Sequence, residues 1–216
     1  SNVTYQEATN FSPDLVWIKE RSIAGSNNLY DSIRGQGNIL YSNNANAEAF
    51  NADVLTSFNS NGFSIGFNES QNNQDYVAWC FNAGTDAPAS NTDGSITSTV
   101  KANQDAGFSI VKYTGTFTSD TVGHGLSSTP EMIIVKNTDS STNWWVWTKD
   151  IGGADKYLKL NGTDAVNTAT SIWDNTLPTS SVFSVANDGG SNGSGDDIIA
   201  YCFHSVDGIQ KVGSYT

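Results

Sequence analysis

Phe11-Ser-Pro-Asp-Leu-Val-Trp-Ile-Lys19 returns as Ser128-Thr-Pro-Glu-Met-Ile-Ile-Val-Lys136, with Pro13 answered by Pro130 and Lys19 by Lys136, a shift of 117 residues. Asp75-Tyr-Val-Ala-Trp-Cys-Phe81 returns as Asp197-Ile-Ile-Ala-Tyr-Cys-Phe203, shifted by 122. Between them Gly62-Phe-Ser-Ile65 answers Val182-Phe-Ser-Val185, with Phe63 shifted by 120 to Phe183. Three blocks in one order, with a shift drifting by only five residues, mark an internal duplication.

Each half then holds an opening strand after a proline, a middle region, a Phe-Ser strand and a closing strand. The opening runs Leu15–Ile18 and Met132–Val135 are short, apolar and partly β-branched, as core strands are. Period-two geometry puts Tyr76, Ala78 and Cys80 on one face of the closing strand and Val77, Trp79 and Phe81 on the other. Both faces are apolar, which predicts a central strand covered on both sides. Gly107-Phe-Ser-Ile-Val-Lys-Tyr-Thr114 is a further strand, and its Tyr-Thr ending recurs at Ser214-Tyr-Thr216. The last segment either closes the domain or opens a third unit.

Composition agrees. Ser, Thr and Asn fill 72 of 216 positions, and with 20 Gly they disfavour helix. The 24 aromatics (Trp 6, Tyr 8, Phe 10) supply a core that a disordered acidic chain lacks. With 10 Lys+Arg against 22 Asp+Glu the net charge is −12, which argues against a nucleic-acid partner. No apolar run approaches the ~20 residues of a membrane span, and the chain opens on no signal-peptide pattern, so no membrane insertion is expected.

The expected fold is all-β: a lectin-like or jelly-roll antiparallel β-sandwich built from two pseudo-repeated halves. The halves span about 11–83 and 128–205, and a Gly- and Pro-bearing linker spans about 84–106. Two small domains are the alternative to a single sandwich over 1–216. One merged sandwich is favoured because sheets bury their apolar faces against each other.

Neither a Gly-x-Ser-x-Gly elbow nor a His-Glu-x-x-His helix occurs, and His124 and His204 read as strand-end residues. No catalytic residue is assigned. Cys80 and Cys202 occupy equivalent places, either as a staple between the halves or as two buried thiols. Asp188, Asp196 and Asp197 bracket a Gly/Ser loop and are the candidates for a Ca²⁺ site, against a solvated hairpin; the spacing of an EF-hand is absent. Asn143-Trp-Trp-Val-Trp147 places Trp145 and Trp147 on one strand face and Trp144 on the other. Indoles bordered by amides and carboxylates can stack on sugar rings, so Trp144, Trp145 and Trp147 are the candidate ligand contacts; core packing is the competing reading. Asn10, Asn161 and Asn192 head glycosylation sequons, as chance provides in so Asn-rich a chain.

The strings FSPDLVWIKERS (11–22), NNLYDSIRG (27–35), GFSIGFN (62–68) and YVAWCFNAG (76–84) carry a resemblance. So do GFSIVKYTGT (107–116), TVGHGLSSTPEMIIVKN (121–137), SIWDNTLPTSSVFSV (171–185) and IIAYCFHSVDGIQKVGSYT (198–216). From Phe11 to Thr216 the chain resembles a conserved domain of marine tailed phages, found in cyanophage and pelagiphage virion proteins of tail-fibre type. The resemblance implies a lectin-like β-sandwich on a tail fibre or similar external appendage, assembled in the host cytoplasm, and carries over no catalytic residue. Tyr5 lies 8 residues before Pro13 whereas Tyr113 lies 17 before Pro130, so the first strand departs from the pattern.

The expected function is a non-enzymatic receptor-binding module that recognises a host-surface glycan or protein. Its other partners would be virion subunits, in a homotrimeric fibre whose weak single sites gain from multivalency. The alternatives are a purely structural spacer or decoration domain, and a polysaccharide-degrading tail enzyme.

Overall fold

In the computed structural model of the chain the described residues are 2–4, 11–22, 24–68 and 74–215, so Tyr5 and the Asn10 sequon lie outside them. The fold is all-β, with strands in several antiparallel sheets and two four-residue helices. The chain divides into two compact units: Ser1–Asn43 with Glu48–Ala83, and Asn44–Ala47 with Gly84–Thr216.

Unit 1 holds β1 (Asn2–Thr4), β2 (Leu15–Glu20), β3 (Asn27–Asp31), β4 (Asn38–Tyr41), β5 (Ala49–Phe50), β6 (Leu55–Asn59), β7 (Gly62–Ile65) and β8 (Tyr76–Phe81). Five strands run in the order β5-β4-β3-β2-β8, and a second sheet runs β1-β7-β6. Alternation turns Val16, Ile18, Tyr30 and Ile39 inward from the larger sheet to meet Leu55, Phe63 and Ile65 from the smaller. Two sheets sharing one apolar interior make this unit a sandwich. Gly62 has φ +154, and a Cβ there would come within 2.0 Å of the Val3 carbonyl oxygen, so only glycine lets β1 lie against β7.

Unit 2 holds β9 (Ala89–Asn91), β10 (Ser98–Asn103), β11 (Phe108–Thr114), β12 (Asp120–Gly123), β13 (Met132–Asn137), β14 (Trp145–Thr148), β15 (Lys156–Lys159), β16 (Asn167–Thr168), β17 (Val182–Val185) and β18 (Asp197–Phe203). Helices α1 (Thr170–Trp173) and α2 (Gly189–Asn192) flank β17. The large sheet runs β16-β15-β14-β13-β18-β11-β10-β9, and β12 pairs with β17. Its core gathers Val111, Tyr113, Ile133, Val135, Trp145, Trp147, Ile198 and Ala200 with Trp173, Phe183 and Val185.

The duplication is visible strand by strand. The order β5-β4-β3-β2-β8 is repeated as β16-β15-β14-β13-β18, and β1-β7 as β12-β17. Register repeats as well: Val16 faces Cys80 as Ile133 faces Cys202, and Lys19 faces Val77 as Lys136 faces Ile199. The segment expected to be a linker instead contributes β9 and β10, which pair with each other and add to β11. Its Gly and Pro mark turns, but Ser98 and Val100 alternate inward against exposed Thr99, which is the pattern of a strand. The duplicated closing strands also differ in placement. β18 is central, as expected, whereas β8 is the last strand of its sheet among the described residues and shows a half-buried to exposed pattern.

Candidate functional site

Among the described residues β8 ends its sheet, and the outer face that it shares with β2 and β3 leaves Trp79 in water while Leu15 and Leu29 are buried. Three cross-strand rows form that face. Lys19 lies between Asn27 and Val77, Trp17 between Leu29 and Trp79, and Leu15 between Asp31 and Phe81. Side chains facing one another across an antiparallel ladder are near enough to touch. The indoles of Trp17 and Trp79 meet edge to face, with centroids 5.9 Å apart and planes at 62°. Trp79 is 48% exposed, a large apolar surface left in water. Trp17, Lys19, Asn27, Trp79 and Phe81 line a cleft of about 300 Å³. The Lys19 ammonium is held by a hydrogen bond to the Gly25 carbonyl at 2.9 Å.

The equivalent face of unit 2 has no such opening among its repeat partners. Ile134, Lys136, Tyr201 and Phe203 stand where Trp17, Lys19, Trp79 and Phe81 stand, and all four are buried. Lys136 keeps its counterpart's habit of bonding a carbonyl just beyond the strand, donating to Ser140 O at 3.0 Å, and it also donates to Asn137 O at the strand's own end at 2.5 Å. Burial alone pushes its pKa down to about 8. Between about pH 8 and the ordinary lysine value of 10.5 the unfolded chain holds a proton there that the folded one lacks, so stability rises with pH across this window. Relative to Lys136→Met, the native protein is expected to gain about 2 kcal/mol between pH 7.5 and pH 10 in urea titrations. A constant difference between the two would refute the shift.

The indoles expected to contact a ligand are packed inside unit 2. Trp144 is wholly buried, and Trp145 and Trp147 are 9% and 5% exposed. Trp145 Nε1 donates to Asp188 Oδ1 at 2.7 Å and its ring meets Tyr157 edge to face; Trp147 Nε1 donates to Gly153 O at 3.1 Å. Alternation does separate Trp145 and Trp147 from Trp144, but both faces of β14 are covered. These residues therefore serve packing, and the candidate contact site moves to Trp17 and Trp79.

The three aspartates considered for Ca²⁺ are engaged by protein donors. Asp188 Oδ1 caps α2 by accepting from Gly190 N at 2.8 Å and Ser191 N at 3.0 Å, besides Trp145. Asp196 accepts from Asn137 Nδ2 at 2.7 Å and Ser140 Oγ at 3.1 Å, and Asp197 pairs with Lys112 at 2.8 Å. Among the described residues no three His, Cys, Asp or Glu side chains gather as a metal site would require. Removing the Asp188 carboxylate orphans an indole N–H and two amides, so Asp188→Ala is expected to cost about 2 kcal/mol by chemical denaturation. Asp188→Asn, which keeps an acceptor oxygen, should recover most of it.

Cys80 and Cys202 form no disulfide, and burial pushes the Cys202 thiol up to about 12, which leaves it inert. His124 is buried; its Nδ1 accepts from Leu126 N at 3.1 Å, so Nε2 carries the proton donated to Thr179 O. Burial lowers its pKa and keeps it neutral. Asn192 is buried, with its amide donating to Thr118 O and Ala186 O, and Asn161 is spent on Trp144 N and Asn143.

The elements so far define an all-β protein of two related units, one of which carries a solvent-facing aromatic cleft. The chain belongs to the family described as a domain of unknown function, DUF7483, whose model matches residues 2–216. No curated protein and no solved structure matches the chain. No helix among the described residues is long and apolar enough to cross a membrane.

Proposed function

We propose that this protein is a non-enzymatic binding module of a tailed-phage virion, of tail-fibre or receptor-binding type, that recognises a host-surface glycan through the cleft of unit 1. The observation that carries the reading is the Trp17–Trp79 pair, set on a rigid sheet with one indole half in water and an amide and an ammonium beside it. An indole face accepts the C–H side of a pyranose, while Asn27 and Lys19 can donate to its hydroxyls. Concave sites with an apolar floor and a few polar groups at the margin are where small ligands bind. The placement on a virion rests on the motif resemblance described above.

Trp79→Ala is expected to weaken glycan binding at least tenfold, measured by calorimetry against the oligosaccharides that the native chain retains on a glycan array. Thermal stability should stay near native, because Trp79 is at an exposed position. Equal binding by the variant would remove the cleft from the site. The burial of Trp145 and Trp147 supports a second reading, a spacer or decoration domain of the virion, in which the duplication supplies length and stability. That reading requires that no glycan bind at all.

A further inference from the structure

Resting on the reading of the unit 1 cleft as a sugar site, we propose that the sugar it takes is acidic, a pyranose bearing a carboxylate or a sulfate ester that pairs with Lys19. Four lysines in unit 2 are spent on carboxylates: Lys112 on Asp197, Lys149 on Glu131, Lys156 on Asp155 and Lys159 on Asp164. Lys136 is sealed in the interior. Lys19 differs from all five. It lines an open cleft, and its ammonium meets a backbone carbonyl, not an acid, among the described residues. An ammonium has three N–H donors, and the Gly25 carbonyl takes one and fixes the group in place.

Position supports the pairing. Lys19 and Trp17 are two residues apart on β2, so they stand ~7 Å apart along one face. That is about the reach of a substituent on a ring stacked over the Trp17–Trp79 pair. Asn27 lies directly across from Lys19 in register and adds an amide donor to the same edge of the cleft. Glu20, the acid next in the strand, alternates to the other face at its Cα. Its carboxylate packs against Gly25, with Oε2 3.2 Å from where a Cβ there would stand, without forming an ion pair with Lys19 among the described residues. In a chain of net charge −12 the general surface repels anions, so one cation beside an aromatic floor makes acceptance of an acidic sugar a local property of this cleft.

The test uses the full 216-residue chain with three probes of matched length: a galacturonic-acid tetramer, a sulfated galactose tetramer and a neutral galactose tetramer. Calorimetry on the native protein should show one or both acidic probes binding about tenfold or more tighter than the neutral one. The preference should shrink several-fold as NaCl rises from 50 to 500 mM. Lys19→Gln should abolish it and Lys19→Arg should keep it, with circular dichroism melts checking that each variant is folded. Which acidic probe binds tells carboxylate from sulfate. Equal binding of neutral and acidic probes, indifferent to salt and to Lys19→Gln, overturns the inference while leaving the aromatic sugar site intact. Failure of every probe on the native protein overturns the inference, and failure of the native chain to retain any glycan on the array overturns the sugar reading beneath it.

Discussion

Trp145→Ala is expected to cost unit 2 about 3–5 kcal/mol, the cost of a large aromatic removed from a packed core. Its ring belongs to the cluster that joins β13, β14 and β18 to Trp173 and Phe183, and it packs edge to face on Tyr157 at 5.0 Å. Its Nε1 also supplies one of the three donors to Asp188, and Gly190 is what lets that contact form: a Cβ there would come 2.4 Å from Nε1. Truncation therefore opens a cavity and loosens the cap of α2 together. Trp145→Phe should fall between, since it fills most of the volume but leaves Asp188 with its two amide donors. Urea denaturation followed by circular dichroism reads the effect. The exposed Trp79→Ala, measured alongside, should change stability by less than about 1 kcal/mol. A Trp145→Ala cost as small as that would mean that β14 is not the packed strand described.

Arg34→Met is expected to destabilise unit 1 by a similar amount, about 3–5 kcal/mol, for an electrostatic reason. The side chains of Arg34 and Asp31 are 2% and 0% exposed, and Nε reaches Asp31 Oδ2 at 2.5 Å. The guanidinium also donates to Glu48 Oε2 at 2.6 Å and to the Leu29 carbonyl at 3.2 Å. It thus ties the β3–β4 turn to the chain leading into β5. Methionine approximates the stem but leaves the Asp31 carboxylate buried without its cation, and that uncompensated charge is the main cost. The double variant Asp31→Asn with Arg34→Met should be less damaged than the single one. Asparagine removes the charge yet keeps an oxygen for the Ile33 and Arg34 amides that Asp31 Oδ1 now accepts. Additive costs in that cycle would argue against the pair.

The duplicated motifs made the strands legible in the sequence. Pro13 and Pro130 head β2 and β13, the Phe-Ser blocks are β7 and β17, and the closing blocks are β8 and β18, with Cys80 and Cys202 in the same register. These signals are local: a short apolar run, partly β-branched and bounded by turn residues, favours a strand over a helix. Cover is not local. Nothing in Asn143-Trp-Trp-Val-Trp147 states that both faces of β14 are packed, and nothing in Tyr76–Phe81 states that, among the described residues, its strand ends a sheet while its repeat partner sits in the middle of one. The run of three tryptophans therefore drew attention to a strand whose indoles are buried, away from the candidate pair of which Trp79 is exposed. The signal that could have found it is the contrast between the halves. Where the repeat keeps the motif but changes Ile134 to Trp17 and Tyr201 to Trp79, unit 1 carries two indoles that unit 2 does without.

The central claim is that unit 1, through Trp17 and Trp79, is the ligand-contacting part of the molecule. The six indoles of the chain, at positions 17, 79, 144, 145, 147 and 173, give six assignable Nε1–H resonances in a ¹⁵N-labelled sample. Titration with the acidic and neutral tetramers should move the Trp17 and Trp79 signals together, in proportion to saturation, while those of Trp144, Trp145, Trp147 and Trp173 stay in place. Binding that leaves Trp17 and Trp79 unmoved, or that shifts the buried four instead, would contradict the account.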